Sequence, residues 1–478
     1  MENVKNRYLF ESMPVPKAVA KMAIPTVFGQ LVILAYNIAD TLFIGTTNDR
    51  MMVAAVSLIL PVFNICLSLA SLAGVGGSAL LSRLLGVGRD DEAKKVFGFS
   101  VRLSLGVAAL FSLMTFLFMD PLLRLLGAND DTIGFARTYA TLVIVAGGIP
   151  TIMTNVLANF VRSVGESVKA GFGVIMGGLI NIALDPLFMF VILPSGNEVA
   201  GAGIATFLSN VISCLYFVLV IAKLGNGSVL KMGSLRDMPD KKSVGLIFSV
   251  GIPSAVDTFL FDLDYIVIDK LMSGYAEGAA LAAMGIVLKA ERLPLNIGVG
   301  ICQGMVPIVA YNYASGNNKR RRSVELFALT SGIVCAVLSI VMYEFLSPNI
   351  MRLFIKDSAT VALGTDFLRI RCLATIFMFM SFYHVHLFNS YGKGGYALLL
   401  GVIRWGVLNI PMQFILHGIF GMYGIVWAQI TSDVINVTVS FIIHRRYMKT
   451  HGLAVNKNDN NVNDYGNDNE NGGKTVEA

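Results

Sequence analysis

Residues 18–42 read AVAKMAIPTVFGQLVILAYNIADTL, a mostly apolar run whose last turns carry Asn37 and Asp40. A membrane-spanning helix needs about 20 predominantly apolar residues, so this stretch is long enough to cross a bilayer. It is too long for the core of a cleavable signal peptide, and no small-residue cleavage site follows it. We therefore expect it to remain in the mature protein as the first membrane helix.

The whole chain has the same character, because 55% of its 478 residues are hydrophobic and only 14% are charged. Soluble proteins are about 25% charged. This composition excludes a soluble enzyme, a disordered chain and a secreted disulfide scaffold. We predict an all-α polytopic membrane protein, in which the five cysteines lie in apolar segments and serve as packing residues.

Similar apolar runs recur along the chain and predict twelve membrane helices. Their ranges are 18–42, 52–80, 97–119, 135–160, 170–193, 201–222, 244–271, 279–308, 325–347, 366–390, 396–417 and 421–443. The longest internal connection, 223–243, is polar and divides an N-terminal lobe (1–222) from a C-terminal lobe (244–447). Residues 448–478 are rich in Asn, Asp and Gly, and we expect this tail to be disordered.

The two predicted lobes are related by an internal repeat. A shift of 228 positions aligns Ile24-Pro25 with Ile252-Pro253, Gly76 with Gly304, Gly88 with Gly316 and Asn181 with Asn409. Each lobe has six predicted crossings, so both begin on the same side of the membrane. We therefore expect a pseudo-two-fold axis along the membrane normal. Two similar lobes that face a central cavity are typical of an alternating-access carrier.

The distribution of Lys and Arg predicts the orientation of the chain. Basic residues concentrate in alternate connections, including the segments 83–95 and 319–322, whereas the intervening connections carry few. Because cytoplasmic loops are enriched in Lys and Arg, we expect both termini to be cytoplasmic and the protein to lie in the inner (plasma) membrane. We also expect it to be a monomer in the lipid bilayer.

Polar side chains within predicted membrane helices are functional candidates, because they are costly there. Asn37 and Asp40 share one face of the first helix, and Asn181 and Asp185 share one face of the fifth. Thr206 lies at a similar depth in the sixth. Two carboxylates with amide and hydroxyl oxygens can bind a bare monovalent cation or hold a proton, so they can form a coupling site. The alternative is a set of hydrogen bonds that join helices.

The seventh predicted helix contains three acidic residues, and the eighth contains a charged cluster. They are Asp257, Asp262 and Asp264 in the seventh and Lys289, Glu291 and Arg292 in the eighth. Either these groups form a salt-bridged structural network, or the three aspartates and Gln303 line a substrate cavity that attracts cations.

The sequence predicts no catalytic or metal centre. No pair among His384, His386 and His417 has the i, i+4 spacing of a helical metal site. There is no Gly-x4-Gly-Lys nucleotide loop, and no Ser/His/Asp or Cys/His set at the polar helix faces. We therefore expect neither an enzyme nor a cofactor nor a nucleic-acid partner.

Several short motifs follow one another along the predicted helices. They include Asn37-x-x-Asp40, Arg162-x-x-Gly165, Asn181-x-x-Leu184-Asp185-Pro186, Gly201-Ala202-Gly203-Ile204-Ala205-Thr206 and Gly300-x-x-Gln303-Gly304-x-x-Pro307. In this order, the chain resembles the multidrug and toxic compound extrusion (MATE) transporters, in particular their bacterial drug-exporting branch.

The resemblance implies a secondary active antiporter that exports lipophilic organic cations, antibiotics among them, in exchange for Na⁺ or H⁺. It implies a cation site at Asp40, Asn181, Asp185 and Thr206, with Tyr139 nearby. Some members of the family carry a single acidic residue in the seventh helix, whereas this chain carries three, which leaves the ion role of the second lobe and the substrate charge open.

Two alternatives to a drug antiporter are left open. A flippase of the same superfamily, which moves a lipid-linked oligosaccharide, would need a large cationic groove, to which Lys289 and Arg292 could contribute. The second alternative is a non-transporting membrane receptor or scaffold, in which the paired lobes and the buried carboxylates would have no function.

Overall fold

The computed structural model describes residues 2–47, 49–224, 228–234, 237–275 and 278–453, with side chains from Arg7 onward. These residues are almost entirely helical, and none of them forms a strand. The all-α, multi-span fold is therefore confirmed. Of the predicted tail, residues 454–478 lie outside the described part of the chain.

The described residues form seventeen α-helices. The N-terminal half contains α1 (Glu2–Glu11), α2 (Val15–Gly45), α3 (Arg50–Gly86), α4 (Asp90–Leu117), α5 (Met119–Leu125), α6 (Ile133–Ala140), α7 (Gly148–Ser163), α8 (Ser167–Pro186) and α9 (Glu198–Lys223). The C-terminal half contains α10 (Lys241–Met272), α11 (Ala279–Ala314), α12 (Asn318–Phe354), α13 (Ser358–Cys372), α14 (Thr375–Ser390), α15 (Gly394–Gly401), α16 (Ile410–Phe420) and α17 (Met422–Thr450). Three π-helical stretches extend or join these helices: Thr141–Ala146, Leu187–Ile192 and Val402–Asn409.

Ten helices within the described ranges are long and apolar enough to cross a membrane. The number is eleven if the helical segments Ile133–Ala146 and Gly148–Ser163, which meet at an angle of 45°, are counted together as one span. The sequence predicted twelve. The difference lies at predicted span 366–390, which is divided between α13 and α14. These helices have 15 and 16 residues, and each is shorter than the roughly 20 residues that a crossing requires.

The ends of the helices also differ from the predicted lobe boundaries. Helix α9 ends at Lys223 and α10 begins at Lys241. The predicted connection was 223–243, so α10 begins earlier than predicted. Helix α17 continues to Thr450, past the predicted end of the C-terminal lobe, and Leu453 is buried.

The two lobes pack together through glycines at the end of the molecule where α1 and the C-terminal end of α17 lie. Gly304 of α11 lies against α2, where an added Cβ would be 2.5 Å from the Cα of Ala23. Gly76 of α3, its counterpart in the repeat, lies equally close to the backbone of Ile247 and Gly251 in α10. Because a side chain would collide with backbone at both places, glycine permits two equivalent contacts that close this end.

Helix α1 lies across the same closed end. The ring of Phe10 stacks on Tyr311 of α11 with centroids 5.0 Å apart, and Arg320 of α12 donates a hydrogen bond of 3.1 Å to the carbonyl oxygen of Leu9. Leu9 and Phe10 also pack against Gly165, which follows α7 of the N-terminal lobe. Although α1 was assigned to the N-terminal lobe, it therefore connects both lobes.

We predict that Gly304→Val lowers the melting temperature of the purified protein by several degrees, because the new side chain must push α2 away from α11. Gly285→Val is the matched control, since Gly285 lies in the same helix and has open space around its Cα. Equal melting temperatures for the two variants would show that the glycine contact does not hold the lobes together.

Candidate functional site

A polar cluster inside the N-terminal lobe brings together the two predicted carboxylates. Asp40 lies near the C-terminal end of α2, and Asp185 lies in the last turn of α8. Their carboxyl groups face each other within hydrogen-bonding range. Asp185 is almost completely buried, with 1% of its surface exposed, and Asp40 is half-buried.

Three further side chains complete this cluster. Asn181, one turn before Asp185 in α8, donates hydrogen bonds of 3.4 Å to Asp185 Oδ1 and 3.5 Å to Thr206 Oγ1. Thr206, on α9, also lies beside the hydroxyl group of Tyr139 on α6. Asn181, Thr206 and Tyr139 are all buried. The structure thus gathers five of the six residues predicted for the cation site.

Several oxygens of the cluster have unused hydrogen-bonding capacity. Asp40 Oδ1, Asn181 Oδ1 and Asp185 Oδ2 are buried and accept no hydrogen bond from a described residue. Buried acceptors without partners are costly, and two facing carboxylates repel each other when both are ionised. A proton shared between the carboxyl groups, or a small monovalent cation, would relieve both costs.

A small cavity adjoins these groups. It has a volume of about 70 Å³, and Tyr36, Asn181 and Thr206 are among the residues that line it. This volume exceeds the 10–15 Å³ that one water molecule needs when measured in the same way. The cluster therefore has space beside it for water or for a partly hydrated ion.

The structure does not place Asn37 in this cluster. Its side chain is exposed, and its one hydrogen bond outside the regular helical pattern among the described residues is the one that its backbone oxygen accepts from Thr41 Oγ1 at 2.9 Å. A spacing of three residues leaves about 60° between side chains around a helix, so Asn37 need not follow Asp40 into the lobe.

The C-terminal lobe contains a second buried polar cluster at the equivalent position. Asp264 Oδ1 accepts hydrogen bonds from Asn409 Nδ2 at 2.9 Å and from Gln413 Nε2 at 2.6 Å. Asn409 and Gln413 are the repeat counterparts of Asn181 and Asp185. The sequence analysis missed Gln413, although extending the repeat alignment by four residues beyond Asn409 would have indicated it.

Two buried ion pairs between arginine and carboxylate distinguish the second lobe from the described part of the first. Arg404 donates to both oxygens of Asp433, at 2.7 and 3.3 Å, and Arg371 donates to both oxygens of Glu291, at 2.7 and 2.9 Å. The Arg404 guanidinium also stacks on the ring of Trp405 at 4.1 Å. These acidic groups are therefore neutralised by the protein itself, and sequence reasoning found neither arginine partner.

A larger cavity of about 490 Å³ lies between the N-terminal half of α3 and the C-terminal half of α10. Asp262 and Asp269 line it, together with Arg292 and mostly apolar side chains. The Arg292 guanidinium lies over the rings of Phe261 and Tyr265, 5.0 and 4.8 Å from their centroids. This cavity lies between the lobes, toward the end opposite the glycine contacts.

Of the four residues predicted for the substrate cavity, Asp262 lines it and the others lie elsewhere. Asp264 is fully buried inside the C-terminal lobe. Asp257 accepts a hydrogen bond of 3.2 Å from Trp405 Nε1. Gln303 accepts one of 3.2 Å from Gln30, which joins α11 to α2. Within the described residues, no group of three His, Cys, Asp or Glu side chains could hold a metal ion.

A family model described as MatE matches the chain twice, over residues 25–187 and 253–415. Both ends of the second match are displaced from the first by the 228 positions of the internal repeat. The multidrug export protein MepA of Staphylococcus saprophyticus subsp. saprophyticus is 28% identical, over 94% of this chain and 97% of its own length. MepA of Staphylococcus aureus strain MRSA252 is 28% identical, over 91% of this chain and 95% of its own length.

Solved structures share the fold. An outward-facing multidrug resistance MATE family transporter of the MOP superfamily superposes with a TM-score of 0.87 at 22% identity, covering 94% of this chain and 98% of that one. The Vibrio cholerae MATE transporter VcmN superposes with a TM-score of 0.86 at 19% identity, covering 92% and 98%. Together with the family model, these matches confirm the resemblance inferred from the motifs.

We predict that Asp40→Asn makes thermal stability less dependent on pH. In the absence of Na⁺, the melting temperature of the unmodified protein should fall as the pH rises, because ionisation of both facing carboxyl groups creates repulsion. An amide at position 40 removes one of the two charges. Asp131→Asn, at an exposed position, should retain the full pH dependence of the melting temperature. If the melting temperatures of both variants changed equally with pH, repulsion between the carboxyl groups at positions 40 and 185 would be excluded as the cause.

We also predict that Arg404→Ala lowers the free energy of unfolding by about 3–5 kcal/mol, because Asp433 then remains buried without its counterion. Arg137→Ala is the control, since Arg137 pairs with Asp120 at 2.7 Å but both side chains are 53% exposed. Arg137→Ala should lower the free energy of unfolding by less than about 1 kcal/mol. Chemical unfolding in detergent measures both values, and comparable losses would contradict a special role for the buried pair.

Proposed function

This chain belongs to the MatE family, and we propose that it is a secondary active multidrug efflux antiporter that exports lipophilic organic cations in exchange for Na⁺ or H⁺. Its named relatives are multidrug export proteins. The observation that carries the ion-exchange part of the proposal is the facing pair Asp40 and Asp185 with its unpartnered oxygens.

The ion step follows from the chemistry of this pair. With a proton or Na⁺ bound, the two carboxyl groups can stay in contact inside the lobe. When the ion leaves, the two charges repel each other and favour a rearrangement of α2 relative to α8. Helix α2 is suited to such a change because Pro25 removes one of its backbone hydrogen bonds, which weakens the helix at that position.

Alternating access is supported by the contrast between the two ends of the molecule. The lobes are packed backbone against backbone at the end where α1 and the C-terminal end of α17 lie, and the 490 Å³ cavity lies toward the other end. With the termini in the cytoplasm, this arrangement corresponds to an outward-open state. Drug and ion then favour opposite states of the lobes, so each weakens the binding of the other by the same factor.

A cationic substrate is supported by the charges of that cavity. Asp262 and Asp269 provide two carboxylates, whereas Arg292 provides one guanidinium that is already stacked on two aromatic rings. Mostly apolar walls with a few charged groups are typical of sites for lipophilic ligands. The same balance disfavours a flippase of lipid-linked oligosaccharides, because a phosphate-binding groove would require an excess of cationic groups.

We place the protein in the plasma membrane as a monomer with cytoplasmic termini. Support for this orientation comes from the Lys and Arg distribution in the sequence. Helix α1 and the C-terminal end of α17 lie at one end of the structure, where the Tyr313 and Tyr447 hydroxyls are 2.8 Å apart and Arg321 donates to the carbonyl oxygen of Leu453.

We predict that Asp40→Asn reduces export of an ethidium-like cation at least tenfold in proteoliposomes, because the site then has one carboxylate fewer to bind and release the ion. Asp131→Asn is the control for a carboxylate at the protein surface and should transport normally. A Na⁺ gradient and a pH gradient are imposed separately, and the one that drives uptake or efflux identifies the ion. Full export by Asp40→Asn, or export that ignores both gradients, would overturn the proposal.

A further inference from the structure

The cavity between the lobes contains an organic cation that belongs to the protein itself. The Arg292 guanidinium of α11 lies over two rings of α10, 5.0 Å from the centroid of Phe261 and 4.8 Å from that of Tyr265. Arg292 and Tyr265 both line the cavity of about 490 Å³. Aromatic faces attract organic cations at this distance. The rings that are suited to a cationic ligand are therefore already covered by a side chain.

The two rings form a continuous aromatic surface. Phe261 and Tyr265 are one helical turn apart, which places them on the same face of α10, and their centroids are 4.9 Å apart. Phe261 also packs edge to face against Trp405, with centroids 5.2 Å apart. The hydroxyl group of Tyr265 is buried and has no hydrogen-bond partner among the described residues. The contribution of Tyr265 to this surface therefore comes from its ring.

Arg292 is held less firmly than the other stacked arginine of this lobe. Arg404 lies over the rings of Trp405 and Phe382, at 4.1 and 4.4 Å from their centroids. It also donates to both oxygens of Asp433, and it is only 2% exposed. The side chain of Arg292 is half-buried and makes no hydrogen bond or ion pair with a described residue. Its stacking on the rings is therefore the main contact that a ligand has to replace.

The duplicated fold does not require this arrangement. The family model matches both halves of the chain. The equivalent residues of the N-terminal lobe, 228 positions earlier, are neither aromatic nor charged: Ile33, Asn37 and Asn64. A guanidinium on two rings is therefore a property of the C-terminal lobe, and its position in the cavity indicates a role in ligand binding.

The hydration of a cation determines whether it can take the place of Arg292. A guanidinium is more weakly hydrated than an ammonium group. A ligand displaces it most readily when the charge of that ligand is delocalised or shielded by apolar groups, because such a cation loses little hydration at the rings. Asp262 lines the same cavity and lies within electrostatic range of Arg292. Attraction to this carboxylate then offsets the contact that the released guanidinium has lost.

We propose that Arg292 is a specificity-determining residue, which covers the cation subsite formed by Phe261 and Tyr265 until a substrate displaces it. Every ligand has to compete with the guanidinium, so Arg292 sets a threshold of affinity. Quaternary and delocalised organic cations exceed this threshold, whereas primary ammonium ions of similar size do not. The inference rests on the proposed function, because it assigns a subsite within the cavity proposed for the substrate.

The test measures equilibrium binding of radiolabelled tetraphenylphosphonium to the full-length protein in detergent. We expect Arg292→Gln to tighten binding about tenfold, because the competing cation is removed. Lys289→Gln is the matched control, since it removes the same charge from α11 at an exposed position that is not among the described residues lining the cavity. That variant should change the affinity less than about twofold.

Variants of Tyr265 test whether the rings carry the effect. Tyr265→Leu should weaken binding of tetraphenylphosphonium about tenfold, whereas Tyr265→Phe should retain it, because the ring remains. In the Tyr265→Leu background, Arg292→Gln should tighten binding about threefold or less, since Arg292 competes through the rings.

A conservative variant keeps the test decisive if Arg292→Gln is unstable. Arg292→Lys retains the positive charge but presents a more strongly hydrated group to the rings. It should therefore tighten binding by a smaller factor than Arg292→Gln, whereas an effect of charge alone predicts no change. The primary amine 3,3-diphenylpropylammonium should compete poorly with tetraphenylphosphonium in the unmodified protein and should gain affinity in Arg292→Gln.

Equal tightening in Arg292→Gln and Lys289→Gln would overturn the inference and leave the proposed function intact. The same holds for a full gain by Arg292→Gln in the Tyr265→Leu background. If the unmodified protein bound no tetraphenylphosphonium, the cationic substrate of the proposed function would itself be contradicted, and the inference with it.

Discussion

The contact between the carboxyl groups of Asp40 and Asp185 is the constraint on which the functional interpretation depends. Two like charges at this distance in a medium of low dielectric constant cannot both persist without compensation. Asn181 donates a hydrogen bond to Asp185, and neither Asn181 nor its neighbours Thr206 and Tyr139 supply a positive charge. No ion pair among the described residues involves either aspartate, and this is why we propose that a proton or a cation from solution compensates their charge.

The C-terminal lobe has the same architecture, but two of its buried carboxylates are compensated differently. At the repeat position of Asp185 it has Gln413, and Arg404 and Arg371 supply permanent counterions for Asp433 and Glu291. A fixed arginine cannot be exchanged with the medium. The two lobes therefore differ in charge compensation: no ion pair among the described residues involves Asp40 or Asp185, whereas Asp433 and Glu291 of the C-terminal lobe are each paired with a buried arginine.

Much of this arrangement could be predicted from the sequence, because it depends on periodic patterns. Apolar runs located most membrane helices, and helical spacing with matched depth identified Asp40, Asn181, Asp185 and Thr206 as neighbours. The break between α13 and α14 was missed because hydropathy does not report where a helix is interrupted. The partners of Glu291 and Asp433 were missed because they come from distant segments and follow from tertiary packing alone. We predicted that Asn37 shares a helix face with Asp40, but its side chain is exposed. The two side chains differ by an angle around the helix that is too small for the sequence spacing to show which of them enters the lobe.

The paired glycines at positions 76 and 304 bear on how such a protein arose. Each sits in one half of the repeat and touches the backbone of the other half, at corresponding places. A half-length ancestor with this glycine would have made the contact twice across a two-fold axis, as a homodimer. Fusion of two gene copies would then have preserved an existing subunit interface while it allowed the halves to lose their chemical equivalence, so that one half has Asp185 where the other has Gln413.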